Sequence, residues 1–148
     1  MVFRFWSNYK IIEVVGESMS PTLRPNWKLL FKKINVEYVN YNDIILFHYN
    51  SKLMIKRIIG LPGDYVEIGE GELIINEQRV IEDYIETPRF SEFISKWQIK
   101  QNEYVLLGDN SMDSLDSRKL GPITFEDEIY ILKRRLWPFL LKSNKSTK

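Results

Sequence analysis

The sequence predicts an all-β domain: short antiparallel strands coiled into a partly open, barrel-like arrangement with little helix. Three observations carry this. Short β-branched runs recur along the chain, Gly, Pro and Asn interrupt them at close intervals, and no segment sustains the 3.6-residue apolar period of a helix.

Length and composition narrow the class further. At 148 residues, one domain with a modest core is expected, about 11–133, with 65–103 as an inserted β-hairpin and loop region and 134–148 as a basic and apolar tail. An aromatic share of 14% and a hydrophobic share of 44% exclude a disordered chain. Lys plus Arg number 21 against 20 for Asp plus Glu, so charge gives no case for nucleic acid as a partner. The absence of cysteine removes disulfides, thiolate metal sites and a cysteine nucleophile together. No cofactor or metal is called for.

The elements follow in order. Met1 to Lys10 is too short and too polar for a secretory signal, and no run approaches about 18 consecutive apolar residues, so no membrane-spanning helix is encoded. Phe3, Phe5 and Trp6 suit a bilayer interface, the alternative being that they pack on the domain. Ile11, Ile12, Val14 and Val15 read as a strand that stops at Gly16. Trp27 to Lys33 and Asp43 to Tyr49 are further strands, with Asn26, Asn35, Asn40 and Asn42 punctuating the connections. Leu53 to Ile59 is an apolar strand closed by Gly60-Leu61-Pro62-Gly63-Asp64. Tyr65 to Ile68 and Glu72 to Ile75 form a hairpin around Gly69-Glu70-Gly71. A more polar stretch runs from Thr87-Pro88 to about Asn102. Tyr104 to Leu107 and Ile129 to Leu132 are the remaining strands. Lys133 to Lys142 mixes cations with Leu136, Trp137, Phe139, Leu140 and Leu141, which fits either a strand end packed on the domain or a second bilayer contact through Trp137 and Phe139.

One stretch points to chemistry. Gly16-Glu17-Ser18-Met19-Ser20-Pro21-Thr22-Leu23 delivers a serine into a turn: Gly16 lets another backbone approach, and Pro21 stiffens what precedes it. Ser18 is the candidate nucleophile, and it needs a base. The chain has one histidine, His48, inside Ile44-Ile45-Leu46-Phe47-His48-Tyr49, and a Ser-His-Asp triad would have to use it. The other candidate is Lys56. Strand alternation puts Met54, Lys56 and Ile58 on one face and Ile55, Arg57 and Ile59 on the other. An ammonium among apolar neighbours loses hydration, so its pKa falls toward the range where a neutral amine accepts a proton.

Taken together, Ser18-Met19-Ser20-Pro21, Asp43-Ile44-Ile45-Leu46-Phe47, Lys56-Arg57-Ile58-Ile59-Gly60-Leu61-Pro62-Gly63-Asp64, and Gly108-Asp109-Asn110 with Asp116-Ser117-Arg118 and Gly121 resemble the signal peptidase I family of serine proteases. The blocks keep that family's order across residues 14 to 123. The resemblance implies that family's catalytic fold and a Ser18/Lys56 dyad that cleaves signal or leader peptides from preproteins after small residues. It implies an Asp116–Arg118 ion pair bracing the site and a Ser114 hydroxyl that hydrogen-bonds and orients the lysine. It also implies a protein at a membrane: peripheral, with the active site on the extracytoplasmic side for a general signal peptidase, cytoplasmic for a specialised maturation enzyme. Most signal peptidases carry one or more spanning helices ahead of the serine block.

Other readings of the same residues are weaker. An EF-hand loop counted from Asp109 fails, because its sixth residue is Ser114 and its twelfth Leu120. Ser7-Asn8-Tyr9-Lys10 has the spacing of a penicillin-binding Ser-x-x-Lys, but it enters a β-branched run and no Lys-Thr-Gly follows. Arg57 is better read as a structural partner for a carboxylate. The Ser18 N–H is one oxyanion donor; many family members have a serine two residues before the nucleophile, where this chain has Gly16, so the second donor is unidentified. A substrate strand between Val14-Val15 and Met54-Ile55 would pair backbone to backbone. Its side chains would meet a shallow apolar pocket of Val14, Val15, Gly16, Met19, Leu23, Met54 and Ile55, which favours small residues. Two alternatives stand: a specialised maturation protease of the same superfamily, such as one trimming the leader of nickel superoxide dismutase, and a noncatalytic β-domain that binds peptides or membranes.

Overall fold

The computed structural model describes residues 8–89, 91 and 93–138. Phe3, Phe5, Trp6 and Phe139, the expected bilayer contacts apart from Trp137, lie outside these. The described residues form eleven strands, one turn of α-helix and one 3₁₀ turn, as the interrupted β-branched pattern predicts. Two open sheets carry the fold rather than a closed barrel.

The larger sheet contains β1 (Tyr9–Glu13), β2 (Lys28–Ile34), β3 (Ile44–Tyr49), β4 (Lys52–Gly60), β9 (Glu103–Leu107), β10 (Ile123–Thr124) and β11 (Ile129–Trp137). Their order is β1-β2-β11-β3-β4-β9-β10, and every pairing is antiparallel. The smaller sheet orders β7 (Gln78–Arg79), β6 (Glu72–Ile75), β5 (Tyr65–Gly69) and β8 (Ser95–Gln98) as β7-β6-β5-β8. The hairpin at Gly69 to Gly71 thus belongs to a sheet of its own, completed by two short strands that follow it in the chain.

Turn chemistry sets the registers. Two-residue loops whose residues both have positive φ match the right-handed strand twist. Asn50-Ser51 joins β3 to β4, Glu70-Gly71 joins β5 to β6, and Asn76-Glu77 joins β6 to β7, all with positive φ at both positions.

Three apolar clusters hold the sheets. Ile12, Val14, Met19, Leu23, Leu29, Phe31 and Leu46 pack beneath the serine turn. Ile45, Phe47, Ile58, Tyr104 and Leu106 fill the centre of the larger sheet. Ile59, Val105 and Leu107 of β4 and β9 meet Val66, Ile68 and Leu73 of the smaller sheet, which seats that sheet against the end of β4.

Two boundaries differ from expectation. β1 ends at Glu13; the Val14 N–H still donates to the Trp27 carbonyl (2.9 Å) in the same register, and Val15 beyond it is exposed. β11 runs to Trp137, past the boundary at 134 expected for the tail. Arg134, Arg135 and Trp137 pair with Leu30, Leu29 and Lys28, and two register shifts bend the strand around β2. The Arg135 guanidinium lies 4.1 Å from the centre of the Trp27 ring, so part of the basic run is spent on packing.

Candidate active site

Ser18 sits half-buried in a compact turn between β1 and β2. Met19 and Leu23 anchor the turn in the core, and the Ser20 N–H donates to the Glu17 carbonyl (2.9 Å) and the Leu23 N–H to the Met19 carbonyl (2.8 Å). Gly16 has φ of +84° and nothing within 4 Å of where a Cβ would stand, so the turn approaches the serine by an open, left-handed glycine.

Lys56 reaches the turn from the middle of β4. Its Nζ stands 2.9 Å from Ser18 Oγ and donates to the Ile55 carbonyl at 3.0 Å. The residue is 3% exposed. Burial drives its pKa below the ordinary lysine value; the Asp116, Asp109 and Asp113 carboxylates oppose this, and Arg118 adds to it. The neighbouring residue points elsewhere, as strand alternation requires: Arg57 forks onto Asp109, Nε to Oδ1 at 2.9 Å and Nη2 to Oδ2 at 2.6 Å, both side chains buried. His48 lies half-buried on β3 opposite Leu53.

The segment after β9 closes the site. Gly108 donates its N–H to Asp116 Oδ2 (2.9 Å), and the Asn110 N–H donates to the Ser18 carbonyl (3.1 Å). Asp116 caps the short helix α1 (Ser117–Leu120) and is gripped by Arg118, Nε to Oδ1 at 3.0 Å and Nη2 to Oδ2 at 2.7 Å. Burial alone would raise the Asp116 pKa, but Arg118 and the Gly108 N–H outweigh it and hold the carboxyl below its usual range. The expected ion pair is therefore formed. No Ser114 bond to Lys56 is made in this geometry: Ser114 Oγ is buried in the hollow left by the absent Gly108 side chain and helps hold the Asp116 carboxyl down. Lys56 Nζ donates instead to the carbonyl of its chain neighbour Ile55.

Val14, Val15, Gly16, Met19, Leu23, Met54 and Ile55 line one cavity of about 470 Å³ with Ser18 and Lys56. Ile12, Glu13, Glu17, Leu46, Leu53, Asp113 and Leu115, which sequence reasoning did not assign to the pocket, also line it. The cavity lies between the exposed stretch after β1 and the first half of β4. β9 pairs with β4 only from Arg57 to Gly60, which leaves Lys52 to Lys56 without a neighbour on that side in the described sheet. Among the described residues, no group of His, Asp and Glu side chains could hold a metal ion, and no helix is long and apolar enough to cross a membrane.

The family model described as signal peptidase, peptidase S26, matches residues 1–137. The chain is similar to a signal peptidase I of Leptolyngbya laminosa, 33% identical over 137 residues that cover 84% of this chain and 67% of that protein. It is similar to a signal peptidase I of Bacillus caldolyticus, 31% identical over 150 residues, 90% of this chain and 81% of that one. Among solved structures, a signal peptidase I from Enterococcus faecalis V583 aligns with a TM-score of 0.53 and 29% identity, over 61% of this chain and 92% of that chain.

Proposed function

This chain belongs to the signal peptidase S26 family and is a serine endopeptidase, and from that premise we propose that it cleaves signal peptides from preproteins after small residues, with Ser18 as nucleophile and Lys56 as general base. The observation that best supports the pairing is the 2.9 Å approach of a buried amine to the Ser18 hydroxyl.

The steps follow from that approach. Neutral Lys56 takes the Ser18 proton as Oγ attacks the scissile carbonyl, and the ammonium returns it to the leaving amine as the C–N bond breaks. The acyl-enzyme ester is then attacked by a water that the same amine deprotonates, releasing the carboxylate and restoring Ser18. Desolvation keeps Lys56 deprotonated at a lower pH than a surface lysine needs, and its N–H to the Ile55 carbonyl fixes the direction of the lone pair. The Asp116–Arg118 pair and Ser114 support the turn through Gly108. The oxyanion is met by the Ser18 N–H. Gly16 offers no hydroxyl, and one missing donor costs about 10²- to 10³-fold in kcat.

Substrate enters as an extended strand between Val14-Val15 and the free edge of the start of β4, its alternate side chains against Val14, Met19, Leu23, Met54 and Ile55. The protein works at a membrane surface, with Trp137, exposed at the end of β11, as a contact. The test is mass spectrometry of a preprotein panel incubated with wild type, Ser18→Ala and Lys56→Met. Cleavage after small residues by the wild type alone is the expected outcome; cleavage by Ser18→Ala at the wild-type rate refutes the assignment.

A further inference from the structure

The segment 80–89 leaves the smaller sheet and crosses to the loop that holds the serine. Arg89, at its end, is fully buried. Its Nε donates to both Glu82 carboxylate oxygens (3.1 and 3.0 Å), its Nη2 donates to Glu82 Oε1 (2.7 Å), and its Nη1 donates to the Gly108 carbonyl. Glu82 also accepts from the Tyr84 hydroxyl at 2.6 Å, and the Tyr84 ring stacks 3.9 Å from the guanidinium of Arg57. One residue before Arg89, the Pro88 carbonyl accepts from Ser111 Oγ at 3.1 Å.

Each residue from Gly108 to Ser111 is thereby tied down. Gly108 is held at its N–H by Asp116 and at its carbonyl by Arg89. Asp109 is held by Arg57, and Ser111 by Pro88 and by Arg118 Nη1 on its carbonyl (2.8 Å). Asn110, between them, donates its N–H to the carbonyl of Ser18. A buried Arg–Glu pair is a poor source of net stability, because the cost of desolvating both ions roughly cancels their attraction. Its geometry is informative instead: the guanidinium nitrogen left over from the Glu82 fork is spent on the Gly108 carbonyl, one peptide before the one whose N–H holds the Ser18 carbonyl.

Resting on the Ser18/Lys56 reading above, we propose that Arg89, held by Glu82, is a positioning residue for the nucleophile. It fixes the Gly108 to Asn110 peptides that grip the Ser18 carbonyl, so a loop of the smaller sheet sets the separation of Ser18 Oγ and Lys56 Nζ.

The test compares wild type with Arg89→Lys and with the charge-neutral double variant Glu82→Gln/Arg89→Met, which keeps the volume and leaves no lone buried ion. Cleavage of a peptide with alanines before the scissile bond is followed across pH, with the folded fraction measured by circular dichroism in the same buffer. The expected result is a folded double variant with kcat lowered on the order of 10- to 100-fold, the size expected for a sub-ångström to 1 Å misplacement. KM stays within about twofold, the pH midpoint of the Lys56 limb is unmoved, and Arg89→Lys recovers part of the loss because one ammonium N–H still reaches the Gly108 carbonyl. An unchanged kcat, or a loss that vanishes once rates are divided by the folded fraction, overturns the proposal. Should the double variant fail to fold, Arg89→Lys and Ser111→Ala decide, and wild-type kcat in both overturns it. Ser18→Ala in the wild-type background is the separate control: if it still cleaves, the underlying dyad reading fails whatever the Arg89 variants do.

Discussion

Gly108→Ala is the sharpest perturbation of the site that a single methyl group can make. A Cβ built on Gly108 falls 2.2 Å from Ser114 Oγ, 2.4 Å from the Ser18 carbonyl oxygen and 2.7 Å from Ser114 Cβ. The hydroxyl can rotate away, but the carbonyl oxygen belongs to the backbone of the nucleophile. Ordinary contact begins at 3.4 Å, so the Ser18 peptide must retreat by about 3.4 − 2.4 = 1.0 Å. That retreat strains the Asn110 N–H bond to the same oxygen (3.1 Å) and draws Ser18 Oγ away from Lys56 Nζ. Overpacking of this kind costs about 1–3 kcal/mol of stability, and a 1 Å displacement at a reacting atom costs about 10²-fold in rate. Adding Ser114→Ala removes the nearest atom but neither Ser114 Cβ nor the Ser18 oxygen, so it should restore stability more than rate. Steady-state cleavage of a peptide substrate beside a urea melt measures both. Wild-type kcat in a folded Gly108→Ala protein would show that the loop does not position the serine.

Other expectations follow from the same contacts. The folded-state pKa of Lys56 lies below its ordinary value of 10.5, so between the two the folded state binds fewer protons than the unfolded chain, and stability rises with pH through that window. Lys56→Met should therefore raise the melting temperature at pH 7, with the gain shrinking toward pH 10.5, while cutting cleavage by about 10²- to 10⁴-fold; a lower melting temperature at pH 7 contradicts the sign. In the wild type, kcat/KM should climb with pH along a limb centred below 10.5 as the neutral amine accumulates, and a pH–rate profile checks it. Asp109→Asn leaves Arg57 buried without its carboxylate and should cost about 3–5 kcal/mol in a denaturant titration. Val14→Ala or Ile55→Ala should admit larger side chains before the cleaved bond, and a peptide library in which the selectivity does not change would refute the pocket.

The alternation of apolar and polar residues and the spacing of Gly, Pro and Asn made the strands legible, because both act within a few residues of chain. The same locality put Arg57 on the face opposite Lys56 before any partner could be named. Ser18 was legible from its stiff turn, and Lys56 from being a charge inside an apolar strand, with the resemblance choosing it over His48. What could not be read was any distance between segments. The 2.9 Å approach of Lys56 to Ser18 and the Asp109 partner of Arg57 arise from the order of strands in the sheet. Arg89 had no signal at all, since its partners lie 7 and 19 residues away and nothing local distinguishes it from a surface arginine. Propensity and pattern are properties of neighbours along the chain and so survive in the sequence; the hydrogen bonds that aim the nucleophile join residues that only sheet pairing makes neighbours, and those the tertiary structure alone decided.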